Sequence, residues 1–289
     1  MIAGLVLLAG GAAAGVFGSL LGLGGGILIV PLLTLGFGRP LREAVAVSLV
    51  SVIVTSSASA GVYLQRHIAN LRLGMVLELF TASGALAGGL IAFLLDERML
   101  AGLFALLLTW VAVSMIRRRE AAPRTVVPAT PATAPDPVPP GAGPVRVAGR
   151  GARGGGLAAR LSGPGYSVER LPAGMAGSVF AGLVSALLGV GGGIVKVPVM
   201  NLVMGVPLKV ATATSNMMIG ITATSSAVIY LLRGGIDPYV AGPTALGVFL
   251  GASAGSRIAH RIDVRVLRWL FVIVLVYTAF QMARKALAI

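Results

Sequence analysis

Long apolar stretches, separated by short charged or Gly- and Pro-containing breaks, run through most of this chain. About 20 apolar residues span the hydrocarbon core of a bilayer, so stretches of that length are predicted membrane helices. In chain order the apolar stretches are 2–21, 26–35, 41–64, 73–95, 99–116, 173–188, 193–204, 208–232, 239–258 and 266–282. Those at 26–35 and 193–204 are too short to cross alone. The pattern predicts an all-α polytopic membrane protein.

The second half of the chain repeats the first. Residues 22–27 (Gly-Leu-Gly-Gly-Gly-Ile) recur at 189–194 (Gly-Val-Gly-Gly-Gly-Ile), an offset of 167 residues. Over positions 22–48, 14 of 27 residues are identical to those at the same offset, without a gap. We therefore predict two homologous membrane repeats, 1–118 and 171–289, each with about four membrane helices. The first helix of each repeat is predicted to break at its Gly-rich motif.

The segment that joins the repeats, 119–170, has a different composition. Within it, 121–156 is dominated by Ala, Pro, Gly, Thr and Arg and has no helical or strand period. Such a composition buries too little apolar surface to order the chain, so a disordered basic linker is predicted. Positions 117–170 hold nine arginines against three acidic residues, which predicts a cytoplasmic location for 119–170.

The distribution of charge favours inverted over parallel repeats. With parallel repeats, the short inner and outer loops each carry a charge of about +4, which gives no preference. With inverted repeats and the linker inside, the inner loops carry about +6 and the outer loops about +2. Inversion requires the glycine-broken segment to change the number of crossings in each half, for example as a re-entrant hairpin.

Composition excludes several kinds of site. The chain is 56% hydrophobic and only 11% charged, whereas soluble domains carry about 25% charged residues. It has no cysteine and two histidines, which argues against disulfides, thiolate chemistry and a histidine metal centre, and no cofactor is predicted. The net charge of +14 lies in the linker and beside apolar stretches, which indicates contact with anionic lipid rather than nucleic acid.

The glycine motifs are the strongest functional signal. Each glycine costs about 1 kcal/mol of helix propensity relative to alanine, so three in succession favour a break. Backbone groups freed at such a break inside lipid must be satisfied or face a polar cavity. Two breaks brought together by pseudo-symmetry would form a cradle of N–H groups for a small oxyanion. The alternative is close helix packing, because small residues also recur here at four-residue spacing.

Polar residues within the apolar stretches add to this hypothesis. Lys196 follows the second motif and either attracts an anionic substrate, extends its charge to the membrane interface, or pairs with a carboxylate such as Glu78. Glu78 is a candidate for proton coupling, and the alternatives are a counter-ion of Lys196 or a residue at the lipid edge. Hydroxyl and amide groups at the start of the second helix of each half suit sulfonate oxygens, although they also bond within helices or between neighbouring helices. The predicted substrate-binding residues are Gly24, Gly25, Gly26, Ser48, Gly191, Gly192, Gly193, Lys196, Ser215 and Asn216.

The doubled motif resembles a known family. Residues 22–26 with Pro31 and the Ala-Val-Ala-Val-Ser run at 44–48, and residues 189–193 with Pro198 and Ala-Thr-Ala-Thr-Ser-Asn at 211–216, look like the paired signatures of the TauE/SafE sulfite exporters. The resemblance covers nearly everything except the linker. It implies a multi-pass inner-membrane permease for sulfite, organosulfonates or related small anions, often acting as an exporter. The two copies differ where Ile29 and Leu49 stand opposite Lys196 and Asn216.

These observations predict a secondary transporter of a small anion, with export favoured, in which the two repeats rock against each other to give alternating access. The expected partners are this anion and the lipid bilayer, with homo-oligomerisation left open. An enzyme is disfavoured because no paired carboxylate motif, histidine cluster or Ser-His-Asp set stands in a plausible arrangement. A non-transporting scaffold subunit and an anion channel remain the alternatives.

Overall fold

The computed structural model describes residues 2–21, 25–65, 69–117, 158, 161–163, 166–258 and 264–287, which are helical apart from their connections and one isolated bridge. The first half contains α1 (Ile2–Leu21), α2 (Gly26–Pro31), a π-helical turn (Leu32–Gly36), α3 (Leu41–Gln65), α4 (Leu71–Leu94) and α5 (Glu97–Arg117). The second half contains α6 (Leu171–Leu188), α7 (Gly193–Pro198), a π-helical turn (Val199–Val203), α8 (Leu208–Leu232), α9 (Pro238–Ile258) and α10 (Val264–Leu287).

The two halves have the same order of elements. Helices α2, α3, α4 and α5 each begin 167 residues before α7, α8, α9 and α10. Each short helix ends at a proline, Pro31 or Pro198, and continues as a π-helical turn. Because proline has no N–H for the α-helical ladder, the turn that follows is a natural place for a change of helix type. The ten stretches predicted from hydropathy are all helical.

Each short helix folds back along the long helix before it. Gly25 lies beside Ala14, and Leu32 lies beside Gly10, so the returning segment runs towards the start of α1. The second half repeats this, because residues 192, 199 and 204 lie beside residues 181, 177 and 174 of α6. Each break is therefore the tip of a helical hairpin rather than a kink in one continuous helix.

Long helices pair closely across the two halves. Gly11 and Gly15 of α1 lie against the carbonyl groups of Thr244 and Val248 of α9, so these helices run in the same direction. Helices α4 and α6, their counterparts, repeat this contact, because Gly84 and Gly88 lie against Val179 and Leu183. A side chain at these glycines would overlap backbone atoms of the partner, so the small-residue spacing serves packing here.

Helices α3 and α8 pack together in the interior, where Ser56 of α3 contacts Asn216 and Gly220 of α8. Apolar side chains on the outer helices face outward, for example Leu94 (83% exposed), Leu202 (79%) and Trp269 (60%), as expected of a lipid-facing surface. Of the described residues, four helical segments are long and apolar enough to cross a membrane: Leu71–Leu94, Glu97–Ile116, Leu171–Leu188 and Val210–Leu232. The protein is thus an all-α membrane protein, as predicted.

Part of the predicted linker packs against the helices. Leu161 and Val168 are buried beside Leu73. The Asn70 amide donates to the carbonyl oxygen of Leu161 and to the hydroxyl of Tyr166, both at 2.7 Å. The end of the 119–170 segment is therefore packed rather than free. Residues 118–157 lie outside the described part of the chain, so their disorder and cytoplasmic location stay predictions.

Candidate functional site

The two glycine breaks meet at the centre of the molecule. A Cβ added at Gly26 would lie 2.6 Å from the carbonyl oxygen of Gly189, so the two motifs are in backbone contact. The hydroxyl of Ser48 lies 3.0 Å from the Gly26 oxygen and 2.7 Å from the Gly189 oxygen and links both breaks to α3. Gly24 lies outside the described residues.

Both described breaks use backbone conformations that favour glycine. In the second, Gly189, Gly191 and Gly192 have φ angles of 69°, 77° and 71°, and in the first Gly25 has 75°. In this region an L side chain costs about 1–2 kcal/mol per residue, which explains the run of glycines. The predicted helix breaks are therefore present.

The breaks are also tightly packed. A Cβ at Gly191 would lie 2.7 Å from a methyl group of Ile219 and 2.9 Å from one of Val52, and a Cβ at Gly193 would lie 2.6 Å from the Ile219 side chain. Both interpretations of the glycine motif, a helix break and close helix packing, therefore apply to the second break. The glycines give both the unusual backbone and the room for α3 and α8 to approach.

A buried ion pair lies one turn beyond the second break. Lys196 of α7 is 1% exposed, and its Nζ lies 3.0 Å from Oε2 of Glu78 on α4. Thr222 of α8 completes the cluster: its hydroxyl accepts from Lys196 and donates to Oε1 of Glu78 at 2.7 Å. Of the alternatives predicted for Glu78, the structure shows the counter-ion of Lys196, and the proton-coupling role stays a prediction.

The ion pair has no equivalent in the other half. The positions that match Lys196, Glu78 and Thr222 hold Ile29, Ala245 and Thr55. Ile29 is fully buried in the apolar core. The pseudo-symmetric molecule therefore has a polar side at α7 and an apolar side at α2. A charge pair inside a membrane helix bundle is costly unless both charges are compensated, and such residues are usually functional.

The other predicted residues have different surroundings. Ser215 is fully buried beside Gly193, and its hydroxyl has no hydrogen-bond partner among the described residues. Asn216 is half-buried, and its carbonyl oxygen accepts from the hydroxyl of Ser56 at 2.8 Å. Hydroxyls such as that of Thr212 bond to their own helix, as the alternative interpretation expected.

Two residues of this site, Thr222 and Ser185, were not predicted from the sequence. Thr222 lies more than one turn beyond the polar run at 211–216. A threonine in a membrane helix does not by itself indicate that it bridges an ion pair. Ser185 is fully buried in α6 beside Gly192, and its hydroxyl likewise has no partner among the described residues. Comparison of the two repeats could have identified Ser185, because the matching residue of the first repeat, Gly18, has no side-chain hydroxyl.

No group of three or more His, Cys, Asp or Glu side chains able to hold a metal ion occurs among the described residues. The chemistry of the site is thus that of hydroxyl groups, backbone N–H groups and one Lys–Glu pair. Groups of these kinds are able to hold an anion through hydrogen bonds and charge.

Comparisons with known proteins identify the family of this chain. The family model described as "Sulfite exporter TauE/SafE" matches residues 7–282. The chain is 24% identical over 290 residues to the "Probable membrane transporter protein YunE" of Bacillus subtilis (strain 168), covering 96% of each chain. It is 29% identical over 308 residues to the "Probable membrane transporter protein MamO" of Paramagnetospirillum magneticum (strain ATCC 700264 / AMB-1), covering 97% of this chain but only 44% of that protein. No solved structure matches.

The family match spans nearly the whole chain, including both glycine breaks, the α4 carboxylate and the α7 lysine. We conclude that this chain belongs to the TauE/SafE sulfite exporter family and is a membrane transporter.

Proposed function

We propose that the protein is a secondary transporter that exports sulfite, an organosulfonate or a related small sulfur or carboxylate anion across the inner membrane. One observation carries the proposal: glycine breaks from both halves meet in the buried centre, beside a Lys–Glu pair. Broken helices at matching places of two repeats are typical of transporter binding sites. The family name points to sulfite, and the hydroxyl and N–H donors suit its oxygen atoms.

The packing supports an inverted arrangement of the repeats. The hairpin formed by α1 and α2 lets the chain return before α3 begins, which supplies the change in crossings that inversion needs. Counterpart helices α5 and α10 also pack with opposite ends together, because Gly102 near the start of α5 faces Ala286 near the end of α10. With inverted repeats, the basic linker lies on the cytoplasmic side.

Alternating access in this fold uses units that cross the boundary between repeats. Helix α1 packs on α9 and helix α4 packs on α6, so each half contributes one helix to each pair. Rocking of one sequence half against the other would have to separate these glycine-lined contacts. We therefore assign the motion to the α1–α9 pair against the α4–α6 pair, with α3 and α8 crossing between them.

The driving force is an ion gradient or the membrane potential, since the sequence carries no ATP-binding motif. A potential that is negative inside favours anion export by about 2.3 kcal/mol per charge per 100 mV. Glu78 is the residue we assign to proton coupling. When its carboxylate is protonated, the ion pair is lost and the charge of Lys196 becomes available to the anion.

A binding screen tests this proposal. The purified chain in detergent is titrated with sulfite, sulfate, thiosulfate, taurine, sulfoacetate and simple carboxylates. We expect saturable binding of at least one anion, and at least tenfold weaker binding after Gly193→Ala or Lys196→Met, with Gly242→Ala as a control at an open position. A scaffold subunit would bind none of them. Unchanged anion affinity in both the Gly193 and the Lys196 variant would show that the anion does not bind at the second break.

A further inference from the structure

Two buried hydroxyl groups without partners flank the second glycine break. A Cβ at Gly192 would lie 3.2 Å from the Cβ of Ser185, and a Cβ at Gly193 would lie 3.5 Å from the hydroxyl oxygen of Ser215. Both serines are fully buried, and neither hydroxyl has a hydrogen-bond partner in the described part of the chain. Buried hydroxyls in helices normally donate to a carbonyl of the preceding turn, as Ser226 does. Each hydroxyl lies beside one of two successive glycines of this break and has no acceptor among the described residues, which favours an acceptor supplied by a ligand.

The described part of the first break offers no such pair. Ser48, the counterpart of Ser215, is within hydrogen-bonding distance of the carbonyl oxygens of Gly26 and Gly189. The counterpart of Ser185 is Gly18, which has no hydroxyl. The donors available for a ligand are therefore on one side of the pseudo-symmetric centre, and the first break with Ser48 has a framework role.

The charge of the site limits the charge of the ligand. Glu78 and Lys196 are the only buried charged side chains among the described residues, and they neutralise each other. While Glu78 carries its charge, a bound anion therefore meets no excess positive charge from the described buried side chains. Because the cost of burying charge rises steeply with its magnitude, a monoanion binds here at much lower cost than a dianion.

We propose that Ser185 and Ser215 are the paired hydroxyl donors of a single subsite at the second glycine break, which binds the oxygen atoms of a monoanionic oxyanion such as an organosulfonate in preference to a dianion. This inference rests on the proposed anion transport. It adds Ser185 to the binding site. It also places the anion at the second break alone and specifies a ligand with a single negative charge.

The test is calorimetric titration of the full chain in detergent with methanesulfonate and with sulfate, which have similar tetrahedral shapes and different charges. We expect wild-type protein to bind methanesulfonate at least tenfold more tightly than sulfate. Ser185→Ala and Ser215→Ala should each weaken methanesulfonate binding about tenfold or more, as for loss of a hydrogen bond to a charged group. Ser226→Ala, a buried serine that bonds to its own helix, should leave this affinity unchanged.

Thermal unfolding of the ligand-free variants separates ligand binding from a structural role. Ser185→Ala and Ser215→Ala should keep or raise the melting temperature, because no bond within the protein is lost. Ser48→Ala should lower it, because the link between the two breaks is removed. A fall for Ser185→Ala and Ser215→Ala as large as that for Ser48→Ala would overturn the subsite.

The remaining outcomes are distinct. If wild-type protein binds methanesulfonate and both variants bind it equally well, the subsite is wrong and the hydroxyls serve an internal water, while the proposed transport stands. If sulfate binds as tightly as methanesulfonate, the charge rule is overturned. If wild-type protein binds neither these anions nor any in the wider screen, the proposed function fails and this inference fails with it.

Discussion

Lys196 and Glu78 are the two charged side chains that are buried among the described residues. Each charge is removed from water, and each is compensated by the other and by the hydroxyl of Thr222. Removing one member leaves a buried charge without a partner, which is more costly than never having had the pair. The pair links α4 of the first half to α7 and α8 of the second, so its loss affects contacts between the halves.

Lys196→Met or Glu78→Gln alone should destabilise the protein by about 3–5 kcal/mol, because the remaining partner is left unpaired. The double variant should be more stable than either single variant. Denaturant unfolding in detergent measures these differences, with Arg284→Met at an exposed helix end as the control for charge removal. Single variants as stable as this control would show that the pair is open to water.

Proton coupling at Glu78 has its own prediction. In proteoliposomes, Glu78→Gln should abolish the acceleration of anion transport by an imposed proton gradient, since glutamine cannot exchange a proton. Transport driven by an anion gradient alone should continue at a reduced rate in the same vesicles. A variant that keeps the proton-dependent acceleration would exclude Glu78 from coupling.

At the scale of elements, the glycine-lined contacts between α1 and α9 and between α4 and α6 hold the two halves together. Gly88→Ala should destabilise the protein by about 1–3 kcal/mol, because the new methyl group would lie 2.6 Å from the Leu183 carbonyl oxygen. Gly242→Ala is the matched control on α9, where nothing lies within 4 Å of the new atom. This control should be neutral or stabilise the helix by up to about 1 kcal/mol. Equal melting temperatures for the two variants would contradict the close approach of α4 and α6.

Helix positions were predictable from the sequence, and helix partners were not. Hydropathy placed α8 at 208–232, as found, because apolar length alone decides which segments span a membrane. The glycine runs likewise predicted the breaks, because positive φ angles favour glycine. The pairing of α1 with α9 depends on glycines far apart in sequence, and small-residue spacing does not name its partner. Ser185 was missed for a similar reason, since its role depends on a break that folds back beside it.

At the scale of the whole molecule, the inverted arrangement makes a prediction that the absence of cysteine allows to be tested cleanly. The added Cβ at Gly102 lies 3.7 Å from that of Ala286, within the usual disulfide range of about 3.5–4.5 Å. Gly102→Cys with Ala286→Cys should therefore form a disulfide under mild oxidation, seen as a mobility shift that reductant reverses. Gly102→Cys with Trp269→Cys joins counterpart positions, which lie level only in parallel repeats. Cross-linking of this second pair instead of the first would reject inversion.

In the proposed mechanism, this chain alone moves a small anion through a site at its centre. Counterflow in proteoliposomes made from the purified protein tests this most directly: vesicles preloaded with unlabelled anion receive the labelled anion outside. We predict saturable uptake of label that the internal anion accelerates, and strong loss of this uptake when Ser185 and Ser215 are both replaced by alanine. Uptake no greater than in protein-free vesicles, or uptake that neither saturates nor responds to internal anion, would contradict carrier transport through a central site.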